Sequence, residues 1–254
     1  MRPVGDPRVA AAFAAVPRIG FLPAHQRRFA ADDRPLGIGH GQTNSQPTTV
    51  ANMLELLDVH PGQRVLDVGA GSGWTTALLG ELVGPTGRVV GLELVPELAH
   101  WGAVNVSRHH LPWATEAEPA PGVLGAPDQG PFDRILVSAE ADELPTDLVE
   151  QLAPEGILVV PVRGRMLRVR RHADGSTTTD HHGWYSFVPL LRHQDERAVL
   201  QLTRSPPAGV DGCRGIIGAL QDQDRHGPAY GVLDRDRRGG HPPGGAGPDQ
   251  PFCG

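Results

Sequence analysis

Two clusters of residues have the types and spacing of chemical sites. In the first, DVGAGSG, Asp67 is followed by Gly69, Ala70, Gly71 and Gly73 between an apolar run and a helical pattern. Backbone free of side chains there lets a ligand approach closely. Glu93 closes the next apolar run, about twenty residues beyond the glycines, where an acid can accept hydrogen bonds from both ribose hydroxyls of a nucleotide-like cofactor. Such contacts exclude a 2′-phosphate. Dinucleotide enzymes use G-x-G-x-x-G to set a pyrophosphate on the helix end. Here the spacing is G-x-G-x-G preceded by an acid, which fits S-adenosyl-L-methionine better than NAD.

The second cluster is PLGIGHGQTNSQP. Its glycines at 37, 39 and 41 bend the chain, and Gln42, Thr43, Asn44, Ser45 and Gln46 present hydrogen-bonding groups in close succession, as a recognition loop does. The hydroxyls of Thr43 and Ser45 could also cap a helix starting near Pro47, and the two roles can coexist. The histidines at 40, 109, 110, 181 and 182 form no H-x-x-x-H pair and have no cysteine beside them, so no metal ion is expected. Cys213 and Cys253 are too few and too far apart for a disulfide framework.

The elements that must position these clusters are legible from periodicity. Residues 6–15 and 24–31 read as short Ala-rich helices, with the two prolines of VPRIGFLP forcing extended backbone between them, and 32–47 reads as a loop. Val50, Met53, Leu54 and Leu57 recur at helical spacing behind Pro47, which predicts a helix over 47–58. RVLDV, the glycine turn, TTALLGELV and RVVGLEL then spell strand, turn, helix, strand. A helix over 96–107, a buried strand over 132–139, a helix over 144–153 and a strand over 156–162 continue the alternation of a doubly wound, mostly parallel α/β sheet. The runs 166–172 and 184–191 read as an antiparallel pair at the sheet edge, joined by the polar turn ADGSTTTDHHG.

At 254 residues the chain is long enough for one α/β domain, expected over 1–205, followed by a Gly- and Pro-rich tail over 206–254 that is expected to be disordered. The formal net charge of -6 offers no whole-chain attraction for a phosphate backbone, so nucleic acid is not an expected partner. No stretch of eighteen apolar residues occurs, and the first residues lack the apolar core of a secretory signal, so a soluble, cytoplasmic protein, monomeric in the simplest case, is expected.

With these motifs in place, the chain resembles the protein-L-isoaspartate O-methyltransferase family. VPRIGFLP, DDRPLGIGHGQTNSQP, RVLDVGAGSG, VVGLELVPELA, PFDRILVSAEADELP, LVEQLAPEGILVVPV and SFVPL match its landmarks in order over roughly residues 8–191. The family's G-x-T-x-S-x-P loop falls on Thr43 and Ser45, more specific than any glycine motif. The resemblance implies a Rossmann-like fold and transfer of a methyl group from S-adenosyl-L-methionine to the carboxyl of L-isoaspartyl residues in proteins or peptides. The ester would then pass through a succinimide and return some normal aspartate. It also implies that Ser45 and Thr43 orient the acceptor with help from Gln42, Asn44 and Gln46, and that Asp67, Gly69, Ala70, Gly71, Gly73, Glu93 and Gly122 bind the cofactor.

Two departures stand out. The family's G-D-G cofactor segment aligns with Ala120, Pro121 and Gly122, so its acid is missing; Glu116 and Glu118 are nearby but are expected to be ordinary exposed carboxylates. Arg165 stands where the family often has glutamine. These departures keep two other readings open: methylation of aspartate in a ribosomal peptide natural product, and a decayed cofactor-binding protein.

Overall fold

The structure, a computed structural model, describes residues 5–191. The expected domain boundary at 205, the tail and both cysteines lie outside the described residues. Helix α1 (Pro7–Ala15) starts where Asp6 accepts a hydrogen bond from the Arg8 N–H at 2.7 Å and proline fills the first turn. The next segment departs from expectation. Pro17 and Leu22 are extended, but Arg18–Phe21 winds one 3-10 turn between them, which carries both Arg18 and Phe21 into the interior. A second 3-10 turn, Ala24–Phe29, replaces the helix expected over 24–31; none of its residues is buried, so no packed face supports an α-helix there.

The expected loop over 32–47 is largely a hairpin. Strands β1 (Leu36–Gly39) and β2 (Gln42–Asn44) pair antiparallel across a two-residue turn in which His40 and Gly41 both have positive φ, 53° and 70°. That conformation matches the twist of the flanking strands. Helix α2 (Pro47–Leu57) follows as the periodicity requires, with Val50, Met53, Leu54 and Leu57 all buried.

The main sheet contains β3 (Arg64–Val68), β4 (Arg88–Leu92), β5 (Ala114–Ala117), β6 (Phe132–Val137), β7 (Leu152–Val162), β8 (Arg165–Arg171) and β9 (Thr177–Trp184). Their order is β5-β4-β3-β6-β7-β8-β9, parallel from β5 to β7 and antiparallel through β8 and β9. Helices α3 (Trp74–Val83), α4 (Pro96–Ser107) and α5 (Thr146–Glu150) complete the doubly wound arrangement. The central strands are apolar on both faces because both are covered. Val65, Leu136 and Val159 join the cluster that includes α1, α2 and α3, while Leu66, Ile135, Val137, Leu158 and Val160 join the cluster behind α5.

The main sheet and its helices depart from the sequence reading as well, and β7 begins at Leu152, inside the helix expected over 144–153. Strand β5 is an edge strand of alternating burial with no apolar run to announce it. Helix α5 keeps only the middle of its expected span. The last strand begins at Thr177 rather than 184, because the turn closes at once: Gly175 donates to the His172 carbonyl at 3.0 Å and His172 to the Ser176 carbonyl at 2.8 Å. The threonines beyond it suit an exposed strand. The chain from Tyr185 instead leaves the sheet, meets Glu140 through an isolated bridge at Pro189, and runs to the functional site.

Candidate active site

At the carboxyl ends of β3, β4, β5 and β6 the chain surrounds a cavity of about 940 Å³, counting its open mouth. Val68 ends β3 in its wall and Gly69 and Gly71 follow, Leu92 ends β4 and residues 93–95 follow, Pro119 and residues 122–125 come after β5, and Ser138 and Ala139 come after β6. Gln42 and Thr43 of β2 and residues 188–191 close it from the other side. The strand order reverses between β3 and β6, and the crevice at such a reversal is where open parallel sheets hold ligands.

Glu93 sits in the bend one residue beyond β4 and is 7% exposed. Its Oε2 accepts from the Gly71 N–H and its Oε1 from the Val95 N–H, each at 2.9 Å. Burial raises its pKa, and the N–H groups of Val95, Gly71 and Leu94 hold it down. A carboxylate offers about four acceptor positions. Backbone N–H groups take up part of that capacity, and the residue lines the cavity, where a ligand with paired hydroxyls would meet it.

Asp67 behaves differently from the sequence expectation. Strand alternation places it on the α3 side of the sheet, fully buried, where its Oδ2 accepts from the hydroxyls of Thr75 and Thr76, both at 2.7 Å. Burial lifts it to about 6, against the pull of those two hydroxyls and with repulsion from Glu93. It is not among the wall residues and serves to tie β3 to the start of α3. Gly73, at φ 85°, is the residue on which α3 starts. A Cβ there would lie 2.7 Å from Glu116 Oε2 and 2.8 Å from the Gly102 carbonyl, so its bareness lets α4 and Glu116 pack against the turn. Ala70 is buried, with its N–H on the Leu92 carbonyl at 3.1 Å. Of the glycines singled out, Gly69, Gly71 and Gly122 reach the cavity.

Glu116 corrects the expectation of an exposed carboxylate. It is 8% exposed, lies in a slot left by Gly73, Gly91 and Gly102, and neither of its oxygens has a hydrogen-bond partner. Burial, reinforced by Asp67 and Glu93, pushes it up to about 10, so it is a neutral acid at pH 7. Neither it nor the exposed Glu118 lines the cavity, so neither stands in for the acid absent at Pro121. Arg165 also lies away from the wall, exposed at the start of β8 with its guanidinium 4.3 Å above the Trp184 ring.

The hairpin brings the polar cluster to the cavity unevenly. Gln42 and Thr43 line it; Asn44 turns the other way and is 5% exposed. The Asn44 Oδ1 accepts from Arg18 Nε at 2.7 Å and its Nδ2 donates to Ser72 Oγ at 3.2 Å, so this residue anchors the loop. Ser45 follows β2, half-buried, its carbonyl accepting from Arg18 Nη2 at 2.8 Å; it does not line the cavity. Side chains two apart on extended chain share a side, which groups Ser45 with Thr43. Gln46 precedes α2 and helps to hold the Asp33 carboxyl below its ordinary pKa. Capping of α2 falls to Asp33, which accepts from the Thr48 N–H at 2.9 Å and its hydroxyl at 2.6 Å, so neither Thr43 nor Ser45 is engaged as a cap.

Sequence reasoning missed two contributors. The segment 188–191 read as an edge strand and is cavity wall. Arg18 read as part of an extended link and is a buried hub; a charged residue between two prolines and among apolar neighbours was the available signal.

Comparison with known proteins gives a consistent result. The sequence profile of the family described as protein-L-isoaspartate(D-aspartate) O-methyltransferase matches residues 2–195. A protein-L-isoaspartate O-methyltransferase of Aeropyrum pernix is 45% identical over 188 residues, covering 72% of each chain. One of Methanopyrus kandleri is 44% identical over 188 residues, covering 72% of this chain and 83% of its own. Among solved structures, a candidate enzyme of the same name from Plasmodium falciparum, crystallised with S-adenosyl-L-homocysteine, superposes with a TM-score of 0.66 at 28% identity, over 74% of this chain and 92% of its own.

Proposed function

The chain belongs to the protein-L-isoaspartate(D-aspartate) O-methyltransferase family, and from that membership we propose how its residues divide the work. The enzyme transfers a methyl group from S-adenosyl-L-methionine to the free carboxyl of L-isoaspartyl residues in proteins, the esterification that begins their repair. When bound, the cofactor supplies an electrophilic methyl carried on a sulfonium cation. Glu93, Gly69, Gly71 and Gly122 hold it, and the fit rests on a buried carboxylate that lines the cavity beside the bare backbone of the glycine turn. Asp67, Ala70 and Gly73 support that site from behind.

The acceptor is a carboxylate with a reference pKa of about 3.5, ionised at neutral pH, so no general base is needed. Thr43, on the cavity wall beside Gln42, and Ser45, on the same side of the chain, orient it by donating hydroxyl hydrogen bonds, with Asn44 and Gln46 fixing the loop. Anion meets cation and both charges vanish in the products, so an enclosed, water-poor site favours the step. Alignment of the two reactants carries most of the rate gain.

One observation carries this division of roles: Glu93 and the β2 residues Gln42 and Thr43, about fifty positions apart, face one cavity. We further infer a cytoplasmic monomer with no nucleic-acid partner. The net charge of -6 supports the last point, and no helix among the described residues is long and apolar enough to cross a membrane. Methyl transfer from labelled cofactor to paired peptides containing L-isoaspartate or normal aspartate tests the reading. Base-labile label on the isoaspartyl peptide alone, diminished by Ser45→Ala, is expected. Label on the aspartyl peptide instead favours peptide tailoring, and no label on either, with cofactor bound, contradicts the assignment.

A further inference from the structure

Arg18 is 5% exposed, and all five of its hydrogen bonds go to uncharged oxygens at the base of the β1–β2 hairpin. Its Nη1 donates to the Asp32 carbonyl at 3.0 Å and its Nη2 to the Arg34 carbonyl at 2.9 Å, on the chain entering the hairpin. On the chain leaving it, Nη2 donates to the carbonyls of Asn44 at 2.9 Å and Ser45 at 2.8 Å, and Nε to Asn44 Oδ1 at 2.7 Å. One side chain thus pinches both ends of the hairpin together.

The same group is tied to the cofactor side. Its guanidinium lies 5.5 Å from the Trp74 ring at the start of α3, and Asn44 passes the connection on through Nδ2 to Ser72 Oγ, inside the glycine turn. Ser72 is in turn held by Asn105 of α4, whose Nδ2 donates to its carbonyl at 3.0 Å. We infer that Arg18 is a positioning residue for methyl transfer: through Asn44 and the Ser45 carbonyl it sets the acceptor loop at a fixed place relative to the glycine turn that holds the cofactor. This rests on the proposed role of Thr43 and Ser45.

The chemistry of the side chain suits the task. Burial lowers Arg18 to about 10, which leaves it charged at neutral pH. A guanidinium offers five N–H groups in a rigid plane, whereas lysine has three on a flexible stem and cannot reproduce the fork. A buried charge is costly to desolvate, so the oxygens gathered around the guanidinium are what keep it in place. In the Arg18→Lys enzyme the charge stays and the clamp loosens. A displacement of the acceptor by about 1 Å can reduce turnover about a hundredfold.

The test measures kcat and KM for an isoaspartyl peptide together with the Kd for S-adenosyl-L-homocysteine in Arg18→Lys, Ser72→Ala and Ser45→Ala. For Arg18→Lys the expected result is a kcat reduced about a hundredfold with the Kd unchanged. Ser72→Ala removes only the last link and should lower kcat about threefold to tenfold, the scale of one neutral hydrogen bond, again with Kd unchanged; it decides the matter if Arg18→Lys does not fold. Unchanged kcat in a folded Arg18→Lys enzyme or in Ser72→Ala overturns the inference, as does parallel loss of kcat and cofactor binding, which marks a purely structural role. If Ser45→Ala is itself without effect, the acceptor-loop reading fails first. If Ser45→Ala is impaired and the other two are not, the inference about Arg18 fails alone.

Discussion

Glu93 lines the cavity and also braces the glycine turn through Gly71 and the start of α4 through Val95. Glu93→Gln replaces one acceptor with an NH₂ group set against a backbone N–H. The Kd for S-adenosyl-L-homocysteine should rise roughly tenfold to a hundredfold, corresponding to about 1–3 kcal/mol for an unsatisfied buried donor; calorimetry checks it, and an unaltered Kd would remove Glu93 from the cofactor site. Its place on the cavity wall was legible because an acid at the end of a strand is a local pattern. Asp67 belongs to the same motif, yet the motif does not say which face of β3 it occupies; only alternation with Val65 does, and that sends it towards Thr75 and Thr76. Arg18 was not legible, because its partners lie 14 to 27 positions along the chain, beyond the reach of any local pattern.

Among the elements, the glycine turn and α3 are held together by the absence of a side chain at Gly73. Gly73→Ala forces a Cβ against Glu116 and the Gly102 carbonyl and requires a left-handed φ of 85°. The strain should lower unfolding free energy by about 1–3 kcal/mol, read from urea denaturation, and cofactor affinity should fall with it as the turn shifts. Stability equal to that of the parent would show that α4 yields easily. Elements built on apolar runs, such as β3, β4, β6, α2 and the 156–162 part of β7, follow directly from periodicity. The hairpin, β5 and β9 do not, since a His-Gly turn is a weaker signal than Asn-Gly and an edge strand needs no apolar run.

At the scale of the whole molecule, two buried acids couple folding to pH. Asp67 and Glu116 are raised from 3.8 to about 6 and from 4.5 to about 10, so the folded chain holds their protons more tightly than the unfolded chain. The stability they contribute is complete below the unfolded values and is lost as pH rises, to about 6 for Asp67 and on to about 10 for Glu116. Between those limits each group removes on the order of 1.4 kcal/mol per pH unit. Above about 6 Asp67 adds no further loss while Glu116 still does, so Glu116→Gln should flatten the fall in Tm on the neutral and alkaline limb; parallel Tm curves for the two proteins would refute this.

The most direct test of the proposed division of labour is a crystal structure of the enzyme with S-adenosyl-L-homocysteine and an L-isoaspartyl peptide. Expected are ribose hydroxyls on the Glu93 carboxylate and the acceptor carboxylate within hydrogen-bonding reach of the Thr43 and Ser45 hydroxyls. An acceptor carboxylate bound away from residues 42–46, or a ribose that leaves Glu93 untouched, would contradict it.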